Sequence, residues 1–165
     1  MKRSKSQIVI VALTAMALVV AISGAGVYFG GLAAEKEAKR LRSQVLGSNL
    51  VNAIRGYNIE YRRYPVSMSG TPPEYTGMVD QALLGALTGT DSSANPRGVM
   101  FLGSSRIDGL TRTAGVWACE DAWGGEYEIH IWAPDPTQPH DYEVTAKSKG
   151  ADGLFGTPDD IVAGL

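Results

Sequence analysis

Residues 126–147 read EYEIHIWAPDPTQPHDYEVTAK. From Glu126 to Ala133, the residues Tyr127, Ile129 and Ile131 alternate with Glu128, His130 and Trp132. A period of two places one set on a covered sheet face and the other towards solvent. Asp135 to His140 then supplies a proline-rich turn, and Tyr142 to Lys147 reads as the returning strand. Two strands joined this closely pair as a hairpin, so the sheet is expected to be antiparallel. With 165 residues in the whole chain, that sheet is small and belongs to a single domain.

Upstream the period changes to that of a helix. From Ala33 onward Leu41, Val45, Ile54, Tyr57 and Tyr61 fall on or near one face, with Leu46 and Leu50 beside it. Lys39, Arg40, Arg42 and Arg55 are left for solvent. Gly47 and Gly56 weaken this helix without stopping it. Tyr64-Pro65 is expected to end it, because a residue before proline is pushed out of the helical region. An apolar stripe of this kind needs a sheet to cover it. Ser67 to Tyr75 reads as a loop, and Val79 to Leu87 as a short second helix with Val79, Leu83, Leu84 and Leu87 on its apolar side and Gly89 closing it. Thr90 to Gly98 is a turn-rich connector, and Val99 to Leu102 is expected to form a short strand.

The first helix also extends in the other direction. Ile8 to Leu32 contains no charged residue and follows Lys2, Arg3 and Lys5. As a helix it would reach roughly 37 Å, enough for a hydrocarbon core of about 30 Å. The positive excess lies on its N-terminal side, which favours that end in the cytoplasm. A cleaved export signal is the rival reading, with small residues Ser23 to Gly26 as the cleavage zone. The run nevertheless continues through Val27, Tyr28, Phe29 and Leu32, longer than an export signal needs. The expected division is therefore a basic cytoplasmic end at 1–7, a transmembrane helix at 8–32, and an extracytoplasmic domain at 33–165. The expected location is the inner (cytoplasmic) membrane, crossed once, with the domain in the periplasm. Gly24, Gly26, Gly30 and Gly31 would allow close helix–helix approach there.

Composition narrows the function. A formal net charge of -2 leaves no basic surplus, so nucleic acid is not an expected partner. Cys119 is the one thiol, which excludes an internal disulfide framework and any multi-cysteine zinc site. Catalytic signals are poor. Gly103-Ser104-Ser105-Arg106 does not form a nucleophile elbow, and no phosphate-binding or dinucleotide fingerprint is present. His130 lies on the strand face opposite Tyr127, and His140 in a loop, neither beside a Ser or Cys in a motif.

The stretch with the most chemistry is Ser148-Lys149-Gly150-Ala151-Asp152-Gly153-Leu154-Phe155-Gly156-Thr157-Pro158-Asp159-Asp160-Ile161. Its glycines permit tight bends that turn carbonyls inward, and Asp152, Asp159 and Asp160 set three carboxylates around the bend. Hard oxygen donors of this kind suit calcium, although the spacing is not that of an EF-hand. The alternative is a solvated Asp-Gly turn. Ahead of the main strand, Asp121-Ala122-Trp123-Gly124-Gly125-Glu126-Tyr127 reads as an Asx-type turn with Trp123 packed below it. Stacking of Trp123 or Trp132 on carbohydrate is the other reading.

Taken in order, these stretches resemble the type IV pilin-like proteins, and most closely the major pseudopilin of type II secretion. Ala53-Ile54-Arg55-Gly56-Tyr57 through Arg63-Tyr64-Pro65 resembles that family's helix end. Asp121 to Tyr127 resembles its Asp-Pro-Trp-Gly-x-x-Tyr turn, with Ala122 in place of the proline. Ser148 to Ile161 is similar to its terminal Ser-x-Gly-x-Asp-Gly loop with an acidic pair before an aliphatic residue. The resemblance covers roughly Leu46 to Ile161, and Met68 to Cys119 contributes little. Ser4 to Val9 departs from the family, having neither the glycine nor the phenylalanine of the processing signal, and Ile8 to Leu32 lacks the family's buried glutamate.

The resemblance implies an α+β, pseudopilin-like fold: a long N-terminal transmembrane helix continuing into an amphipathic helix packed on a small antiparallel sheet. It implies a membrane-anchored structural subunit of a type II secretion or pilus-like apparatus, not an enzyme. Its partners would be the membrane and other pilin-like subunits, copies of itself included, or secretion-apparatus proteins. Asp152, Asp159 and Asp160 would be the side-chain ligands of a calcium ion that fixes the C-terminal loop. The alternative function is a membrane-tethered, extracytoplasmic glycan-binding module.

Overall fold

The computed structural model describes residues 5–103, 108–133 and 142–164, with side chains from residue 31 onward. Its elements are α1 (Lys5–Tyr61), β1 (Tyr75–Met78), α2 (Gln81–Thr88), β2 (Leu110–Thr113), β3 (Val116–Cys119), β4 (Tyr127–Trp132), β5 (Glu143–Ser148) and β6 (Ile161–Ala163). Two compact units divide the chain, residues 1–38 and residues 39–165.

The second unit is built on a four-stranded antiparallel sheet in the order β1-β4-β5-β6. Strand β4 is central, and the expected alternation holds: Tyr127, Ile129 and Ile131 are fully buried, while the residues between them are half-buried. Register carries the same pattern outward. Tyr127, Ile129 and Ile131 stand opposite Ser148, Ala146 and Val144, all buried. Ile161 and Ala163 continue this face on β6. The expected turn at Asp135 to His140 lies outside the described residues.

Against that face lies the C-terminal part of α1. Its buried residues are Leu46, Leu50, Val51, Ala53, Ile54 and Tyr57, spaced by three and four as one helical stripe requires. Gly47 has a packing reason: a Cβ there would come within 3.1 Å of the Ala163 Cβ and 3.4 Å of Tyr127. Leu41 and Val45, expected on the covered face, are instead 54% and 59% exposed. The stripe is rotated from the expected one because Ser43 and Leu46 take the inward positions. Ser43 is anchored there, since its hydroxyl accepts from the Ala122 amide at 3.0 Å and its carbonyl from the Tyr127 hydroxyl at 2.7 Å.

Three further expectations are corrected. Helix α1 ends at Tyr61, before Tyr64-Pro65, because Arg62 takes a left-handed conformation (φ 54°) and its amide bonds the Asn58 carbonyl at 2.8 Å. Val99 to Leu102 is no strand; the Phe101 and Leu102 amides instead satisfy the Leu87 carbonyl at the end of α2. The expected transmembrane helix is overturned as an element of the fold, since no helix among the described residues is long and apolar enough to cross a membrane. From Gly31 onward α1 carries Glu35, Lys36, Glu37, Lys39, Arg40 and Arg42 within a few turns, and a span needs about 20 apolar residues in succession. The side chains of residues 8–30, on which that expectation rests, lie outside those described.

Helix α2 forms as its sequence asks. Asp80 caps it by accepting from the Leu83 amide at 2.8 Å, and Gly89 closes it in the left-handed region. Beyond it β2 and β3 make a separate two-stranded ribbon, whose Trp117 and Cys119 are buried in the common core.

Candidate functional site

Residues 149–160 leave the sheet at Ser148 and return at Ile161, and these two stand directly opposite each other. The loop is drawn together by its own carboxylates. Asp159 Oδ2 accepts from the Ala151 and Asp152 amides at 2.8 and 3.0 Å, and its Oδ1 accepts from the Thr157 hydroxyl at 2.7 Å. Asp152 Oδ1 accepts from the Leu154 amide at 2.8 Å, closing an Asx turn. Gly150 is required where the strands part: its φ is +65°, and a Cβ would stand 2.2 Å from the Asp159 carbonyl oxygen.

Asp160 faces inward, and its side chain is only 9% exposed. Its Oδ2 takes the Lys147 ammonium and the Gly156 amide at 2.8 and 2.7 Å, whereas its buried Oδ1 has no hydrogen-bond partner. Lys147 and Lys149 both place their ammonium groups over the Phe155 ring, at 5.4 and 5.1 Å from its centre.

The electrostatics follow from these contacts. The Thr157 hydroxyl, with the Asp152 and Ala151 amides, holds the Asp159 carboxyl down to about 2. Burial pushes the Asp160 carboxyl upward, but the Lys147 ammonium and the Gly156 amide outweigh it and leave the value lowered.

The turn at Asp121 is tied to this loop. Asp121 Oδ1 accepts from the Trp123 and Gly125 amides at 2.8 and 2.7 Å, which makes the expected Asx turn. Its Oδ2 reaches across to the Ser148 hydroxyl, and Ser148 Oγ in turn accepts from the Gly150 amide at 3.2 Å. Three separate stretches therefore meet: Ser43 of α1 holds the turn, the turn holds Ser148, and Ser148 holds the neck of the loop. The Asp121–Ser148 link was not legible in the sequence, where each residue looked like part of a local turn.

The loop's fit to calcium divides between chemistry and arrangement. Its donors are hard oxygens, and Asp160 Oδ1 is a buried acceptor still lacking a partner. Yet no group of three or more His, Cys, Asp or Glu side chains among the described residues is arranged to hold a metal ion. Most of the other oxygens of Asp152, Asp159 and Asp160 are engaged by N–H groups, a hydroxyl or an ammonium.

The remaining candidates have simpler environments. Trp132 stacks on His130 at 4.4 Å with a 19° angle between their planes, on the outward side of β4. His140 and residues 104–107 are outside the described residues. Cys119 is buried, and desolvation, with Glu120 beside it, pushes its thiol up to about 12, so it is not poised as a nucleophile. Comparison with protein-family models, characterised proteins and solved structures finds no match to this chain.

Proposed function

We propose that this protein is a pilin-like structural subunit of a type II secretion or pilus-like envelope apparatus, and not an enzyme. It is held at the cytoplasmic membrane with its globular unit outside the cytoplasm. The observation that carries this reading is the outward face of α1. Leu41, Val45 and Ile59 are 54%, 59% and 69% exposed. Val45 lies about one turn from Leu41, and Ile59 about five turns from Leu41, on the same side. Large apolar residues aligned on an exposed helix face suit packing against another subunit's helix better than they suit contact with water. Cysteines placed at Leu41 and Val45 in the full chain are expected to give homotypic crosslinks in membranes. A chain that remains uncrosslinked while folded would remove the subunit reading.

Calcium is proposed as the ion that completes the loop, with Asp160, Asp159 and Asp152 contributing side-chain oxygens. When bound, it would supply positive charge to a loop whose acids otherwise depend on Lys147 and backbone amides. The partnerless Asp160 Oδ1 supports this assignment. The full chain is expected to melt several degrees higher in calcium than in a chelator, and Asp160→Asn to abolish the difference. Equal melting temperatures for the unmodified chain would sink the site.

A second reading, a glycan-binding module, draws on the Trp132–His130 stack. It predicts a change in Trp fluorescence on adding envelope glycan, lost in Trp132→Ala, and a chain that stays monomeric.

A further inference from the structure

At the C-terminal end of α1 lies a cleft of about 800 Å³, separate from the C-terminal loop. Its described walls include Arg62, Arg63, Tyr64, Val66, Met68 and Tyr142. The last four pack against the hydrophobic core, with Tyr64 and Tyr142 in edge-to-face contact at 5.5 Å. The two arginines are exposed. No carboxylate lines this cleft among the described residues, although the chain as a whole carries a net charge of -2.

Arg62 stands at an unusual backbone position, and Arg63 makes a side-chain hydrogen bond that a solvated charge does not require. Arg62 occupies the left-handed position after the helix (φ 54°), where glycine is the favoured residue. A large side chain is thus kept at a site whose backbone disfavours it. Arg63 directs one terminal nitrogen to the Ala94 carbonyl at 3.0 Å. The Tyr57 hydroxyl donates to that same carbonyl at 2.6 Å, which ties the Arg63 contact to the core.

We propose that this cleft binds a carboxylate joined to an aromatic or aliphatic group, the carboxylate held by Arg62 and Arg63 and the apolar part between Tyr64, Tyr142, Val66 and Met68. A guanidinium presents a planar fork of N–H donors that matches a carboxylate. The apolar floor rewards a ligand whose charge sits at one end only, and the volume is within the usual range for small-ligand pockets. Two sources present this chemistry: the C-terminus of a polypeptide ending in an apolar residue, and a free aryl or alkyl carboxylate.

The test is calorimetric titration of the full chain in uncharged detergent. The probes are a short peptide ending in phenylalanine, its C-terminal amide, 3-phenylpropionate and inorganic phosphate. The free-acid peptide is expected to bind at least about tenfold more tightly than the amide. If 3-phenylpropionate matches the peptide, the source is a free carboxylate; if it is far weaker, the source is a chain terminus. Arg62→Gly separates binding from stability, because glycine suits the backbone there. Its melting temperature is expected to be unchanged or higher, with affinity about tenfold lower. Arg63→Gln, folded and weakened to a similar degree, is the second variant. Equal binding of acid and amide, no binding of either organic acid, phosphate binding as tight as 3-phenylpropionate, or an unaltered affinity in Arg62→Gly would each overturn the proposal. A lower melting temperature in Arg62→Gly with affinity retained would leave Arg62 as a helix-end charge and nothing more.

Discussion

Residues 39–61 of α1 and residues 149–160 of the C-terminal loop are ordered by opposite means. The helix is held by volume: Leu46, Leu50, Ile54 and Tyr57 are all at most 1% exposed and pack on a sheet face of equally buried residues. Its buried polar anchors, such as the Ser43 carbonyl taking the Tyr127 hydroxyl, are neutral, and its ion pairs, Arg42 with Asp108 and Glu60 with Arg97, lie at the surface. The loop has little to bury. Leu154 is 62% exposed, and the loop's shape comes from three carboxylates collecting amides, a hydroxyl and an ammonium. Packing responds steeply to lost methylenes and hardly at all to ions, whereas a carboxylate-built loop responds to protons and cations. The two regions should therefore fail under different insults.

The largest expected effect is on the helix side. Tyr57→Ala removes a ring in contact with Tyr61 and Phe101, at 4.7 and 5.5 Å between centres, and deletes the bond to Ala94. Truncating a buried aromatic typically costs about 3–5 kcal/mol. Denaturant unfolding of the full chain should show that loss identically with calcium and with chelator. A calcium-dependent loss would break the comparison, since helix packing and loop would then be one energetic unit.

Asp121→Ala is next, at the joint between the two regions. It removes acceptors from the Trp123 and Gly125 amides and from Ser148, at a residue 6% exposed. Leaving the buried Ser148 hydroxyl and the two half-buried amides unsatisfied should cost about 2–3 kcal/mol. Because Ser148 also receives the Gly150 amide, the neck of the loop should loosen as well. Protease nicking within residues 149–160 at a rate unchanged from the parent chain would show that the loop does not depend on this link.

What could be read from the sequence follows the same division. The period-two pattern of Tyr127, Ile129 and Ile131 and the capped helix at 81–88 were legible because burial imposes a spacing. Strand β6 was not, since Ile161–Ala163 is too short to display a period. The β2–β3 ribbon was hidden by its turn, where Ala114 takes a positive φ (52°) ahead of Gly115, at a place Asn or Asp ordinarily marks. In the loop, the acids and glycines were visible as a composition. Which oxygen meets which amide was not, because Asp159 bonds residues seven and eight positions back, and such pairings depend on how the chain turns. The stripe on α1 departs from its expected position for a related reason: Leu41 and Val45 fit an apolar helix face, but the inward side is decided by Ser43 and its partners from β4 and the Asp121 turn.

The smallest effect, and the sharpest separation of the two regions, comes with acid. The Asp159 carboxyl is held from its ordinary 3.8 down to about 2, first by the Thr157 hydroxyl and then by the Asp152 and Ala151 amides. A carboxyl lowered in the folded state favours that state most where it is ionised in both states. The contribution is therefore complete above the unfolded value, and fades as pH falls through the interval from about 4 towards about 2. Asp160 is shifted in the same direction, so both acids weaken the loop in acid and neither does so near neutrality. The Ala151 and Asp152 amide resonances should move across that interval, while those of Leu50 and Ile54, inside the helix and remote from any carboxylate bond, should not. Thr157→Val should bring the Asp159 midpoint back towards 3.8, because the hydroxyl is the largest cause of the shift. If the helix amides titrate together with the loop amides, the loop's carboxylates are supporting the core itself, and the distinction between a volume-held helix and a charge-held loop no longer describes this protein.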